Sequence, residues 1–430
     1  MRVISLFKWL YPGMRVKRWL FLMGVGIVSM AVGAYLAIGL NVVDYLNDAA
    51  RWLFLKTGQD LSTFSTHLGV ALIIAGILAV LYSVFRIVWS ISDVLAPNRT
   101  EGLSELVYRQ RYLSHGQRIV VIGGGTGLGT MLRGLKRYTS NLTAIVTVAD
   151  DGGSSGRLMR EYNVLPPGDI RNCLVALADN EGLMSDLFQY RFEGKGEGLA
   201  GHSFGNLLLL AMGAVTGSFD EAIRETSRVL AIRGRVLPST LEQVGLVAEL
   251  ADGTVMRGES AIGHHPGGNP IHRVSLDPSN VQPLDEALEA IAEADAVIIG
   301  PGSVFTSIIP NLLVPGIVDA LRTTSARRIY VCNVMTQPGE TEGFSAADHV
   351  NAIEQHIGKG IIEMALVNIG IPSHEVLERY AEQQAHAVRA DFEGLEGMGC
   401  HAMAADFLNE TDLVRHDPDK LAAAIMEMVA

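Results

Sequence analysis

Cysteine is scarce in this 430-residue chain: Cys173, Cys332 and Cys400 lie far apart, with no CxxC and no matching histidine pair. Neither a zinc site nor a disulfide framework is expected, and the soluble part suits a reducing compartment. Positive charge is scarce too. Lys and Arg number 34 against 46 Asp and Glu, a net charge of −12, so a general nucleic-acid binder is not expected. No GxxxxGK[ST] segment occurs, which argues against a P-loop. There is no internal repeat and no low-complexity tract. No ionisable residue sits inside the two long apolar runs, where a transporter or channel would carry its functional charges.

Glycine and apolar residues are abundant. The 46 glycines exceed the ordinary share of roughly 7%, and they gather at the ends of expected strands, as in phosphate-binding α/β proteins. The mean hydropathy of +0.25 is high for a soluble enzyme, and the excess sits in the first ninety residues. Trp19 to Val43 is apolar and uncharged, and so is Leu68 to Val84, with Arg86 and Trp89 just beyond. Each run suits a membrane helix of about 20 residues. The first run is long and lacks a clear cleavage site, so an anchor is read here in place of a signal peptide. Arg2, Lys8, Arg15, Lys17 and Arg18 precede it, whereas Asp44, Asp48 and Asp60 face only Arg51 and Lys56 between the runs. That bias predicts a multi-pass plasma-membrane hairpin, contacting lipid through residues 19–43 and 68–90, with both chain ends in the cytoplasm. The expected organisation is a hairpin at 1–91, a juxtamembrane linker at 92–117, and a nucleotide-binding domain at 118–430.

The third segment alternates strand, glycine loop and helix. Arg118–Ile122 leads into Gly123-Gly124-Gly125-Thr126-Gly127-Leu128-Gly129 and a helical run from Met131 to Tyr138. Thr143–Val148 follows, ending in Asp150-Asp151-Gly152-Gly153. Further strands are expected at Ala296–Ile299, Arg328–Cys332 and Glu363–Val367, with a β-hairpin at Val244–Glu259 turning at Asp252-Gly253. The pattern predicts an α/β, Rossmann-like, mostly parallel sheet with helices on both faces, whose ligand site lies at the carboxyl ends of the strands.

The loops carry the chemistry. Gly123, Gly124, Gly125, Thr126 and Gly127 let backbone N–H groups approach an anion at a helix N-terminus. Asp150 and Asp151 suit a ribose, a Mg²⁺ ion or an attacking hydroxyl, and the residues leave that choice open. In Pro166-Pro167-Gly168-Asp169-Ile170-Arg171-Asn172, Asp169 is a helix cap or a further catalytic candidate, and Arg171 with Asn172 suits phosphate or sugar hydroxyls. His202, Ser203 and Asn206 precede Leu207–Met212, expected to be a buried helix, and so point toward a cleft. Gly302 and Ser303, in Gly300-Pro301-Gly302-Ser303, form a second anion loop, so that two loops would fit a diphosphate. Asn333 and Gln337 to Thr341 add amides and hydroxyls. His264, His265 and His272 read as a polar loop, and Cys173 as a buried small residue.

The stretches Gly123–Gly129, Ala149–Gly156, Pro166–Leu177, Gly201–Leu209, Gly300–Gly316 and Tyr330–Gly343 together resemble the YvcK family of gluconeogenesis factors, within the 2-phospho-L-lactate transferase (CofD)-like superfamily. The resemblance runs from Arg118 to the C-terminus. It implies a nucleotide-diphosphate ligand, a UDP-sugar such as UDP-N-acetylglucosamine, and a role in carbon use, cell shape and envelope synthesis, with an envelope-synthesis protein as partner and a homodimer as an option. Glu378-Arg379-Tyr380-Ala381 and Val414-Arg415-His416-Asp417 look like the family segments that bring an aromatic and an arginine to the nucleotide; a surface aromatic and a solvated arginine are the alternatives. The hairpin reads as a departure from soluble members. The leading expectation is a membrane-anchored UDP-sugar-binding regulator. The rival is a Mg²⁺-dependent phosphotransferase moving a phospholactyl group to a deazaflavin hydroxyl, with Asp150 and Asp151 at the metal. An NAD-dependent oxidoreductase would need both an acid on the ribose and a proton-transfer residue, and only the first is visible.

Overall fold

In a computed structural model the described residues are 17–38, 55, 61–95, 112–179, 182–194, 198–265, 269–410 and 414–429. Residues 39–43 of the first expected span and 96–111 of the expected linker lie outside them. The chain forms two compact units, 1–108 and 109–430.

The first unit holds two apolar helices, Lys17–Ile38 and Leu61–Leu95. Their apolar stretches, Arg18–Ala37 and Thr66–Ser90, are long and apolar enough to cross a membrane. The helices pack antiparallel through glycine. A Cβ on Gly33 would lie 2.6 Å from the Gly69 carbonyl, and one on Gly76 would lie 2.6 Å from the Gly26 carbonyl. The two glycines of each helix stand seven residues apart, so one seam runs along the pair and lets the backbones approach closely. Ser29 Oγ donates to Leu72 O at 3.1 Å across it. At one end Arg18 and Arg86 each set a guanidinium 4.8 Å from the Trp19 ring centroid, and Tyr82 meets that ring edge-on. Phe21, Leu78 and Phe85 point outward and are exposed.

The second unit is built on a sheet of seven parallel strands. In chain order the strands are β1 (Ile119–Gly123), β2 (Leu142–Val146), β3 (Arg235–Pro238), β4 (Gly245–Leu250), β5 (Val255–Arg257), β6 (Ile271–Asp277), β7 (Ala296–Ile299), β8 (Arg327–Val331), β9 (Met364–Asn368), β10 (His401–Ala405), β11 (Leu408–Glu410) and β12 (Val414–His416). The large sheet runs β10-β9-β8-β7-β1-β2-β3. Alternate side chains of β1 feed two cores: Val120 and Ile122 join one, Ile119 and Val121 the other. Both faces of the sheet are therefore covered, which is why β1 reads as a continuous apolar run and β2 as one broken only by Thr143.

The expected strands are present, displaced by a residue or two at their ends. The expected hairpin is β4–β5, to which β6 adds a third antiparallel strand. His272 lies on β6, whereas the sequence reading put it in a polar loop, and His265 is buried with both ring nitrogens facing carbonyl oxygens, of Ile262 and Asn269. The helix expected from Met131 to Tyr138 runs Gly125–Leu135, starting inside the glycine loop. Strands β3, β6, β10, β11 and β12 were not expected; they are short or interleaved with polar residues. One packing expectation fails. The helix Phe204–Thr216 buries Gly205, Asn206 and Leu209, while the rest of Leu207–Met212 is half-buried or exposed. It is an outer helix, and composition alone does not distinguish an apolar outer helix from an inner one.

The short segment Tyr112–Gln117 belongs to the second unit and is tied to it by hydrogen bonds. Asn141 Nδ2 donates to the carbonyls of Ser114 and Gly116, and Gln117 Nε2 donates to Val429 O.

Candidate functional site

After β3 the chain returns to the other side of β1, so β1 and β7 are neighbours whose following loops diverge. Such a reversal opens a crevice at the carboxyl ends of the strands. A cavity of about 490 Å³ lies there. It is lined by Gly124, Gly125, Thr126, Gly127, Asp150, Asp169, Gly302, Ser303, Asn333, Gln337, Tyr380 and Arg415 among the expected residues, and by Thr130, Thr147, Glu259, Thr306, Ser307 and His416 besides.

The two glycine loops touch at its floor. A Cβ on Gly127 would lie 3.0 Å from Pro301 O, and one on Gly302 would lie 3.3 Å from Gly124 O. Gly124 is the N-cap of the helix Gly125–Leu135 and supplies no side-chain cap, which leaves first-turn N–H groups available to an anion. Gly125 N–H already donates to the Asp169 carboxylate. The second loop is clamped by Asn333, which accepts from Gly302 N–H at 3.2 Å and donates to Gly302 O at 2.9 Å, and by Gln337 Nε2, which donates to Ser303 Oγ at 2.7 Å. A π-helical turn, Val304–Ile308, follows directly; such turns gather at functional sites.

Carboxyl groups crowd one side. Burial raises Asp169 to about 6, with Asp150 adding to the shift, and burial also raises Asp150 against the opposing hydrogen bond from Gly152 N–H. Glu259 is raised to about 8 by burial and then by Asp150, Asp169, Asp151 and Glu340. Glu340 itself, 5% exposed with Oε2 unpartnered, is raised to about 7 by burial. At the other side Tyr380 Oη accepts from Val414 N–H at 3.0 Å, which holds β12 and its exposed Arg415 at the rim. His416 Nε2 faces Cys332 O at 3.1 Å, and burial lowers it to about 4.

The remaining expected residues lie elsewhere. Gly123 ends β1, where its carbonyl accepts from Thr147 N–H and Asn311 Nδ2. Asp151 turns its carboxylate to Ser260 N–H at 2.9 Å, away from the cavity. Arg171, Asn172, His202, Ser203 and Asn206 form a polar scaffold outside the cavity lining. Arg171 donates to Ser203 Oγ and Asn172 Oδ1, Ser203 caps its helix, Asn206 Nδ2 donates to Ser154 Oγ at 3.0 Å, and that oxygen meets His202 Nδ1 at 2.9 Å. The scaffold ties together the starts of the helices Gly153–Tyr162, Gly168–Leu177 and Phe204–Thr216. Among the described residues no group of three His, Cys, Asp or Glu side chains is placed to hold a metal ion; of the pair expected at Mg²⁺, Asp150 lines the cavity while Asp151 turns its carboxylate to Ser260 N–H. Cys173, Cys332 and Cys400 are buried free thiols, and burial raises all three.

Comparison with known proteins agrees with this fold. The family model described as 2-phospho-L-lactate transferase CofD matches residues 119–408. The chain belongs to the CofD family. Within it, the chain is 49% identical to the gluconeogenesis factor of Bacillus subtilis, over 73% of this chain and 98% of that one. A Nostoc relative with a gluconeogenesis-factor name is 48% identical over 99% of this chain and 93% of its own. A crystal structure of a UPF0052-family protein from Bacillus halodurans, 48% identical, superposes with a TM-score of 0.70 over 72% of this chain and 99% of its own. The Nostoc match extends through the N-terminal helices, so this region is shared with that relative.

Glu259 went unnoticed in the sequence. It sits at the far end of an expected hairpin, more than a hundred residues from the glycine loop, and no local pattern ties it to the cavity.

Proposed function

We propose that this chain is a membrane-anchored binder of a nucleoside-diphosphate sugar of the UDP-N-acetylglucosamine type, acting as a regulator of carbon use and envelope synthesis. The observation that carries the reading is the pair of abutting glycine loops at the crevice between β1 and β7, one of them opening a helix whose N-cap glycine supplies no side-chain cap. Adjacent anion loops suit a diphosphate. Tyr380 offers an aromatic face and Arg415 a guanidinium for a nucleoside. The gluconeogenesis-factor names of the relatives support regulation of carbon metabolism, and the two apolar helices support anchoring to the cytoplasmic face of the plasma membrane.

The second reading is the phosphotransferase that the family description names, favoured by the carboxyl groups of Asp150 and Asp169 beside the glycine loop. Titration of the full chain in detergent with UDP-N-acetylglucosamine, UDP-glucose, GDP and NAD, with and without Mg²⁺, separates the two when nucleoside monophosphate release is followed in parallel. Saturable UDP-sugar binding without release, weakened about tenfold by Arg415→Ala, is the expected result. Preference for GDP, with Mg²⁺-dependent release of the nucleoside monophosphate once a guanosine-linked phospholactate donor and a deazaflavin acceptor are added, would overturn the regulator in favour of the transferase.

A further inference from the structure

The carboxyl edge of the sheet arranges the cavity residues in a row. Tyr380 follows β9, Asn333 follows β8, Gly302 follows β7, Gly124 follows β1 and Asp150 follows β2. Neighbouring strands stand about 4.8 Å apart, so the five strands from β9 to β2 span about 19 Å. An extended ligand of three groups fits such a row, with the glycine loops of β7 and β1 under its middle. If the nucleoside takes the Tyr380 end, the third group falls at the β2 end, and the side chain that enters there from outside the parallel sheet is Glu259.

Glu259 opens the short helix Glu259–Gly263, which follows β5 in the antiparallel β4–β5–β6 insert. Its placement is determined by a close backbone contact. Gly258 adopts φ +94, and a Cβ there would lie 2.3 Å from Asp151 Oδ2, while Asp151 Oδ1 accepts from Ser260 N–H at 2.9 Å. Asp151 thus clasps the residues on both sides of Glu259, and Glu259 lines the cavity alongside Asp150 and Asp169.

We infer that Glu259 is the specificity-determining residue for the group beyond the diphosphate, hydrogen-bonding a hydroxyl or amide of a sugar, and that Asp151 and Gly258 are its positioning residues. Hydroxyl and amide N–H donors match a carboxyl group, whereas a phosphate at this place would meet Asp150, Asp169 and Glu259 together. The inference rests on the nucleotide-sugar reading above and names the residue that reads its sugar.

The test measures affinities of the full chain in detergent for UDP and for UDP-N-acetylglucosamine, in wild type, Glu259→Ala, Glu259→Gln and Gly258→Ala. Wild type should favour the sugar nucleotide. Glu259→Ala should lower its affinity about tenfold or more while leaving UDP within about twofold. Gly258→Ala, which displaces an intact Glu259, should show the same selective loss, and Glu259→Gln, which keeps shape and hydrogen-bonding capacity, a smaller one. Equal losses for UDP and UDP-sugar, or no loss for either, would overturn the assignment. Wild type that binds neither nucleotide would overturn the nucleotide-sugar reading itself, and the role of Glu259 with it.

Discussion

Gly124 illustrates how strictly single positions in the cavity are determined. Its backbone is extended, a conformation open to any residue, yet a Cβ would lie 2.6 Å from Asp169 Oδ2 and 2.8 Å from Thr147 Cγ2. Gly124→Ala is expected to cost about 1–3 kcal/mol through overpacking, read as a lower midpoint in thermal unfolding, and to weaken nucleotide binding by shifting the loop. The carboxyl groups make a second case. Asp169 is raised from 3.8 to about 6 and Glu259 from 4.5 to about 8. Within those windows the folded chain binds more protons than the unfolded one, so the contribution to stability is present at the acid side and is lost as pH rises toward the folded value. Melting temperature should fall between about pH 4, near the unfolded values, and about pH 8, and Glu259→Gln should flatten the upper part of that fall. A melting temperature unchanged in slope by Glu259→Gln would contradict the placement of this group.

Among the elements, the second glycine loop depends on one side chain. Asn333 at the end of β8 holds Gly302 by both its N–H and its carbonyl. Asn333→Ala removes both bonds and is expected to cost about 1–3 kcal/mol, with nucleotide affinity falling further than stability does; calorimetric melting and titration on the same preparation check both. The apolar hairpin is determined in a comparable way by Gly26, Gly33, Gly69 and Gly76. Gly33→Leu would place side-chain atoms where the Gly69 carbonyl stands. Cysteines introduced by Ser29→Cys and Leu72→Cys, whose parent residues are hydrogen-bonded across the seam, should cross-link readily in the parent hairpin and poorly in the Gly33→Leu background.

For the whole molecule, the reversal of strand order after β3 gathers the site from segments far apart in the chain. Strand identities were legible because the central residues of β1, β2, β7, β8 and β9 are buried on both faces and so are mostly apolar. The glycine loops were legible because only glycine permits their close approaches. A UDP-sugar at one hundred times its dissociation constant should stabilise the second unit by about 2.7 kcal/mol; a melting curve unmoved by saturating ligand would count against the site. Arg171, His202, Ser203 and Asn206 carry residue types suited to a ligand, yet they support the helices next to the cavity. Glu259 carried no signal and lines it.

By itself the sequence determined the local elements: two apolar runs with basic residues before the first, strand–glycine loop–helix units, and the family they indicate. Periodicity, apolar length and the steric freedom of glycine act over a few residues, so they can be read along the chain. The tertiary structure alone decided which polar groups face the cavity and which support it. Those assignments depend on the β1–β7 crevice, on the Asp151 contact with the β4–β6 insert, and on hydrogen bonds between helices that begin as far apart as Gly153 and Phe204. No local pattern encodes them, because each is satisfied by a partner distant in sequence.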